Sequence, residues 1–214
     1  RVKDSEKSLR RDALLKQIRH DLVNELGIKE DKVHLTGLLV LYNNMLQSLF
    51  ESQILTLGMV VLVLLGMFQI LFRSLKLALI AIVPNLLAIS VVLGVMGWLN
   101  IPLDMMTITI AAISIGIAVD NTIHYIYRFR HEFEAKTGYV KTVHLCHGSI
   151  GRAMYYTSLT IISGFLILTL SNFIPSIYFG LLTALAMLIA LLAALTLLPQ
   201  LIIIFKPFGP EPAA

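Results

Sequence analysis

The pattern of apolar and polar positions changes character near residue 54. In 4–26, Leu14, Leu15, Ile18, Leu22, Val23 and Leu26 recur at helical intervals between charged residues. That spacing predicts an amphipathic helix, and Gly27 stands where a C-terminal cap belongs. The following DKVHLTG predicts a short strand, so residues 1–50 read as the end of an exoplasmic α+β domain that starts upstream. Beyond residue 54 polar interruptions nearly cease. A helix crosses the hydrocarbon with about 20 apolar residues, and five stretches qualify: 54–72, 75–98, 103–127, 153–171 and 176–205. The last has length enough to tilt. The expected fold class is mainly α: a polytopic membrane helix bundle over 51–206, then a tail at 207–214. Between the third and fourth spans, the mixed-charge stretch 130–152 predicts one or two short helices along the membrane surface.

Composition agrees with that division. The chain is 57% hydrophobic and 14% charged, against about 25% charge in a soluble domain. Charge also orients the spans. Nine of the seventeen Lys and Arg precede residue 54. The others are Arg73, Lys76, Arg128, Arg130, Lys136, Lys141, Arg152 and Lys206, which follow span one, separate spans three and four, or follow span five. The positive-inside rule makes those segments cytoplasmic, and long soluble segments translocate regardless of charge. The N-terminal segment is therefore expected outside and the C-terminus inside. A single Cys146 excludes an internal disulfide. The opening RVKDSEKSLRRDALL has neither an initiator Met nor a leader, and reads as the middle of a domain in a longer protein.

The chemistry centres on Asp120. An ionisable group inside a span costs several kcal/mol unless it faces protein or water, and such groups mark ion pathways. Taking a carboxylate out of water disfavours its charged form and makes it a proton acceptor. The alternative puts the end of the span at Val119 and Asp120 at the interface, although Ile123, Tyr125, Ile126 and Tyr127 continue the apolar run. His124 lies one turn on, on the same face, as a proton-relay partner or as a marker of the cytoplasmic boundary. Gly116, one turn before, would let a neighbouring helix approach and bury the acid against protein. On the fourth span, Thr157, Thr160 and Gly164 share a face, with Ser158 and Ser163 nearby. Either Thr157 stands opposite Asp120, or these hydroxyls bond their own backbone. Pro84 kinks the second span; Asn85 repairs the freed groups or meets another helix. Gly94 and Gly97 read as packing sites, and Asp104 as an N-cap more than a second proton site. His144, Cys146 and His147 lack the partners a zinc site needs, so no metal is expected. No phosphate loop, Ser–His–Asp set or basic-aromatic nucleic-acid pattern is present, and neither enzymatic activity nor nucleic-acid binding is expected.

The succession IAIVPN, GVMGWLNIPLD, SIGIAVDNTIHYIYRFR, GRAMYYTSLTIISGF and LSNFIPSIYFG resembles the resistance–nodulation–division (RND) superfamily. It is closest to the branch of MMPL- and Patched-like proteins, over residues 33–205. The resemblance implies a protein of two repeats, each a helix, an exoplasmic domain and five further helices. This chain would be the end of the C-terminal repeat, one half of a pseudo-twofold bundle. The family's Gly-x-x-x-Asp motif falls on Gly116 and Asp120, and its Thr-Ser pair on Thr157 and Ser158. Asn121 stands where many relatives have a tyrosine. The implied activity is export of a lipid or other amphiphile, driven by the proton gradient without a cofactor, with Asp120 as proton carrier. The implied partners are the cargo, the membrane, the N-terminal repeat and further copies of the protein. The implied location is a bacterial inner membrane. A sterol- or lipid-sensing protein without ion flux is the alternative, and an anchoring role for an exoplasmic domain a third.

Overall fold

Helix accounts for nearly all of residues 11–29, 32–99, 101, 105–134 and 138–209, which the computed structural model describes. The chain divides into two compact units, Arg1–Leu55 and Thr56–Ala214. In the first, α1 (Arg11–Asn24) carries the amphipathic pattern. It ends as predicted at Gly27, whose φ of 66° is left-handed, while the Ile28 N–H returns to the Leu22 carbonyl at 3.2 Å. The predicted strand does not form. Val33–Thr36 has no ladder, and no strand occurs among the described residues. An extended segment becomes a strand only by pairing, and none of the described residues offers an edge. The expected helical residues 4–10, and Asp104 with its proposed cap, lie outside the described residues.

All five spans are present as helices long and apolar enough to cross a membrane: Ile54–Phe72, Leu75–Trp98, Thr109–Phe133, Tyr139–Leu170 and Ile174–Phe205. The first is the end of a longer helix, α2 (Leu38–Phe72). Arg73, left-handed at φ 50°, turns the chain, and Ser74 caps α3 (Leu75–Trp98) by accepting from the Leu77 N–H at 3.4 Å. α3 continues unbroken through Pro84. α4 (Met105–Glu134) runs past the predicted end at residue 127. The stretch 130–152, expected to form one or two short helices, is divided between two helical runs. Residues up to Glu134 finish α4, and α5 (Tyr139–Cys146) continues through a π-turn, His147–Gly151, into α6 (Arg152–Ile167). The reason is burial: Tyr139, Thr142 and Cys146 place an apolar stripe against α4 and α8. α7 (Ile174–Leu192) passes through a second π-turn, Ala193–Leu197, into α8 (Leu198–Phe205).

The two π-turns meet. Pro199 has no N–H to offer the Leu195 carbonyl four residues back, and its ring crowds that oxygen. The His147 ring fills the vacancy, with Nε2 2.9 Å from the Leu195 oxygen. A carbonyl only accepts, so Nε2 carries the proton.

α3, α4 and α7 form the centre of the second unit, with α6 packed on α7. One core cluster gathers Phe68, Ala81, Tyr125, Phe129 and Leu198; another gathers Val92, Met96, Ile110 and Met187. Ala88, Ala118 and Ala190 form a small-residue waist where α3, α4 and α7 approach. Gly180 serves the same end on α7, because an added Cβ would lie 2.5 Å from the Phe165 carbonyl. The start of the expected tail is tied down: Tyr139 donates to the Gly209 carbonyl at 2.8 Å, and Phe208 stacks on Phe129.

Candidate functional site

α4 has two opposed faces. Inward it buries Ser114, Ala118, Thr122 and Tyr125. Outward it exposes Thr109, Ala112, Gly116, Asp120, His124 and Tyr127, a stripe at spacings of three and four that follows one side of a helix. Asp120 lies eleven residues from the start of the apolar stretch Thr109–Phe133 and thirteen from its end. Arg128 is two turns further on, about 12 Å along the axis. The helix itself continues past Val119 to Glu134.

The side chain of Asp120 is 69% exposed and that of His124 60%. His124 Nε2 is 3.3 Å from Asp120 Oδ1, so the spacing of four turns them into a pair. Gly116 has nothing within 4 Å of where a Cβ would stand, so among the described residues no other helix comes close to it. The acid therefore faces away from its own bundle.

The hydroxyls of α6 are not brought to Asp120. α6 packs on α7, and α7 on α4. The Thr157 hydroxyl donates to its own backbone, with the Ala153 and Met154 carbonyls both at 3.0 Å. Thr160 and Ser163 do the same toward Tyr156 and Leu159. Ser158 alone turns inward, 3% exposed. Gly164, like Gly94 and Gly97, has open space at its Cβ position. Thr157, Thr160 and Gly164 thus form a second outward stripe of small and hydroxylated residues.

Behind Asp120, Asn85 ties α3 to α4. Its Nδ2 donates to the Ala81 carbonyl at 2.8 Å and to the Thr122 hydroxyl at 3.3 Å; Thr122 passes its own proton to the Ala118 carbonyl at 3.1 Å. Asn85 therefore meets another helix. Its intrahelical bond goes to Ala81, not to the Ile80 carbonyl that Pro84 leaves without a donor. The sequence reading overlooked Thr122, two residues past the acid, and Gly180 and Gly151, the two glycines that are packed. Of these Thr122 had a signal: a hydroxyl on the face opposite Asp120. His147 is engaged with Leu195, and no group of three or more His, Cys, Asp or Glu that could hold a metal occurs among the described residues.

The profile of the family described as the MMPL family matches residues 4–213. A protein of Methanocaldococcus jannaschii, named only as a membrane protein, is 32% identical over 154 residues. That alignment takes in 72% of this chain and 40% of the relative, so the chain spans less than half the length of the protein it matches. No solved structure matches.

Proposed function

The chain belongs to the MMPL family, and on that premise we propose that it is part of a proton-driven exporter of lipids or other amphiphiles. It is an integral membrane protein, with five apolar helices of spanning length. One observation carries the reading: the central acid of α4 points out of the bundle, paired with His124 on a stripe of small residues. Lipid is a poor neighbour for such a face, because a charged side chain at mid-bilayer costs several kcal/mol unless it meets protein or water. Small residues at Ala112 and Gly116 suit close helix contact. A second helix bundle, the N-terminal repeat, would cover this stripe and leave Asp120 at the seam. Proton binding then removes the charge and changes how the two bundles pack, the rocking of repeats that gives alternating access. The protein acts as a transporter and not as an enzyme, in the cytoplasmic membrane, with the segment before α2 outside and the C-terminus inside. A lipid cargo follows from the family branch.

Proton flux tests it. The full-length protein in liposomes with an internal pH dye, under an imposed gradient and with candidate lipids present, is expected to move protons. Asp120→Asn is expected to reduce flux to background while keeping the wild-type melting temperature. Background flux in both folded proteins would favour the lipid-sensing reading.

A further inference from the structure

A shallow, open cavity of about 420 Å³ lies where the two π-turns touch, lined by His147, Gly151, Arg152, Tyr155, Tyr156 and Leu195. Its volume falls in the range of ligand sites, roughly 300–1,000 Å³, and π-turns are frequent at functional sites. None of these residues belongs to the Asp120 stripe. Arg152 makes no ion pair among the described residues. Tyr155 and Tyr156 meet edge-on at 5.6 Å, and each is at least half exposed. Their hydroxyls are without hydrogen bonds among the described residues. His147 is held in place by Leu195, and Gly151 lies beside the same residue, its Cβ position 3.5 Å from Leu195 Cδ2.

Apolar rows lead away from this polar head. On α6, Leu159 and Leu166 follow Tyr155 at spacings of four and eleven, and both are exposed. On α7, which packs on α6, Leu192, Leu188 and Leu181 precede Leu195 at three, seven and fourteen, and all three are exposed. Leu159 and Leu166 share the face of α6 that carries Tyr155, and Leu181, Leu188 and Leu192 share one exposed face of α7. A guanidinium and two phenol hydroxyls thus stand over a double leucine track.

We propose that this cavity is a binding site for a glycerophospholipid with an anionic headgroup. Arg152 forms charge-assisted hydrogen bonds to the phosphate, for which guanidinium geometry is suited. The Tyr155 and Tyr156 hydroxyls donate to phosphate or headgroup oxygens, and the acyl chains lie on the leucine rows of α6 and α7. Basic pockets between membrane helices take anionic lipids by this chemistry. A free phosphate ester shares the headgroup chemistry, but the leucine tracks would be of no use to it. The inference stands apart from proton transport, because both leaflets present phosphate and the argument uses no orientation.

The test titrates the full-length protein in mild detergent with fluorescent short-chain phosphatidylglycerol, with phosphatidylcholine and sn-glycerol 3-phosphate as competitors. Saturable binding is expected, with neither competitor displacing the probe at tenfold excess. Arg152→Gln is expected to weaken binding about tenfold or more, the loss of charge-assisted bonds. The double variant Tyr155→Phe/Tyr156→Phe, which keeps both rings, is expected to weaken it a few-fold. Both are compared at an unchanged melting temperature without lipid; if Arg152→Gln does not fold, the tyrosine pair carries the test. Wild-type affinity in the folded variants overturns the proposal. So does displacement by glycerol phosphate, which would make this a soluble-anion site, or by phosphatidylcholine. Absence of saturable binding overturns it too, with the face then covered by protein.

Discussion

Asp120 and Asn85 solve the problem of a polar side chain in a span in opposite ways. Asn85 is 2% exposed and spends its amide protons inside the bundle, on Ala81 and Thr122. Asp120 is turned out, with His124 beside it. Thr122→Val removes the bond between α3 and α4 and keeps the shape. Interhelical hydrogen bonds in membranes average about 0.6 kcal/mol, so a small loss of stability of that order is expected in detergent melting, with Asp120-dependent flux retained. Glycines divide in the same manner. Gly180→Ala must displace the Phe165 carbonyl and is expected to cost about 1–3 kcal/mol, the range for overpacking. Gly164→Ala, with open space at its Cβ position, serves as the neutral comparison in the same melting experiment.

At the scale of elements, the two π-turns are one device. Pro199 deprives the Leu195 carbonyl of its helical donor, and His147 supplies another from the neighbouring helical run. His147→Ala leaves that carbonyl unpaired, at a cost of about 1–3 kcal/mol. Pro199→Ala restores a backbone N–H in reach of Leu195. The loss from His147→Ala is therefore expected to shrink in the Pro199→Ala background, and a double-mutant cycle of melting free energies reads the difference. Additive losses would show that His147 acts by packing alone. The same contact explains how the short helix α5 within 130–152 is held. A stripe of Tyr139, Thr142 and Cys146, then His147, anchors α5 to α4 and to the end of the last span.

For the whole molecule, the question is which faces of the five-span unit meet lipid. α2 exposes Leu62, Val63 and Ile70, a bulky apolar surface that suits lipid. The α4 stripe through Ala112, Gly116 and Asp120 is small and polar, which suits protein. Gly116→Trp in the full-length protein is expected to lower both melting temperature and proton flux, because a bulky ring would part the seam. Leu62→Trp is expected to leave both near wild type. Equal tolerance of the two would mean that lipid or water, not a second bundle, covers Asp120.

The sequence by itself determined what depends on local composition. Five apolar runs fixed five spanning helices, because a bilayer admits hardly any other backbone whose polar groups are satisfied internally. Helical spacing fixed the pairing of Asp120 with His124, and the ordered motifs pointed to the family. Tertiary structure decided what depends on neighbours distant in the chain. It turned Asp120 outward, because the inner face of α4 was already occupied by Ala118, Thr122 and Tyr125 packing on α3 and α7. It kept Thr157 away from the acid, because α6 docks on α7. It left Val33–Thr36 without a ladder among the described residues, because a strand needs an edge. It selected Gly180 as the close contact, since a glycine's role is set by what approaches it and not by its place in the helix.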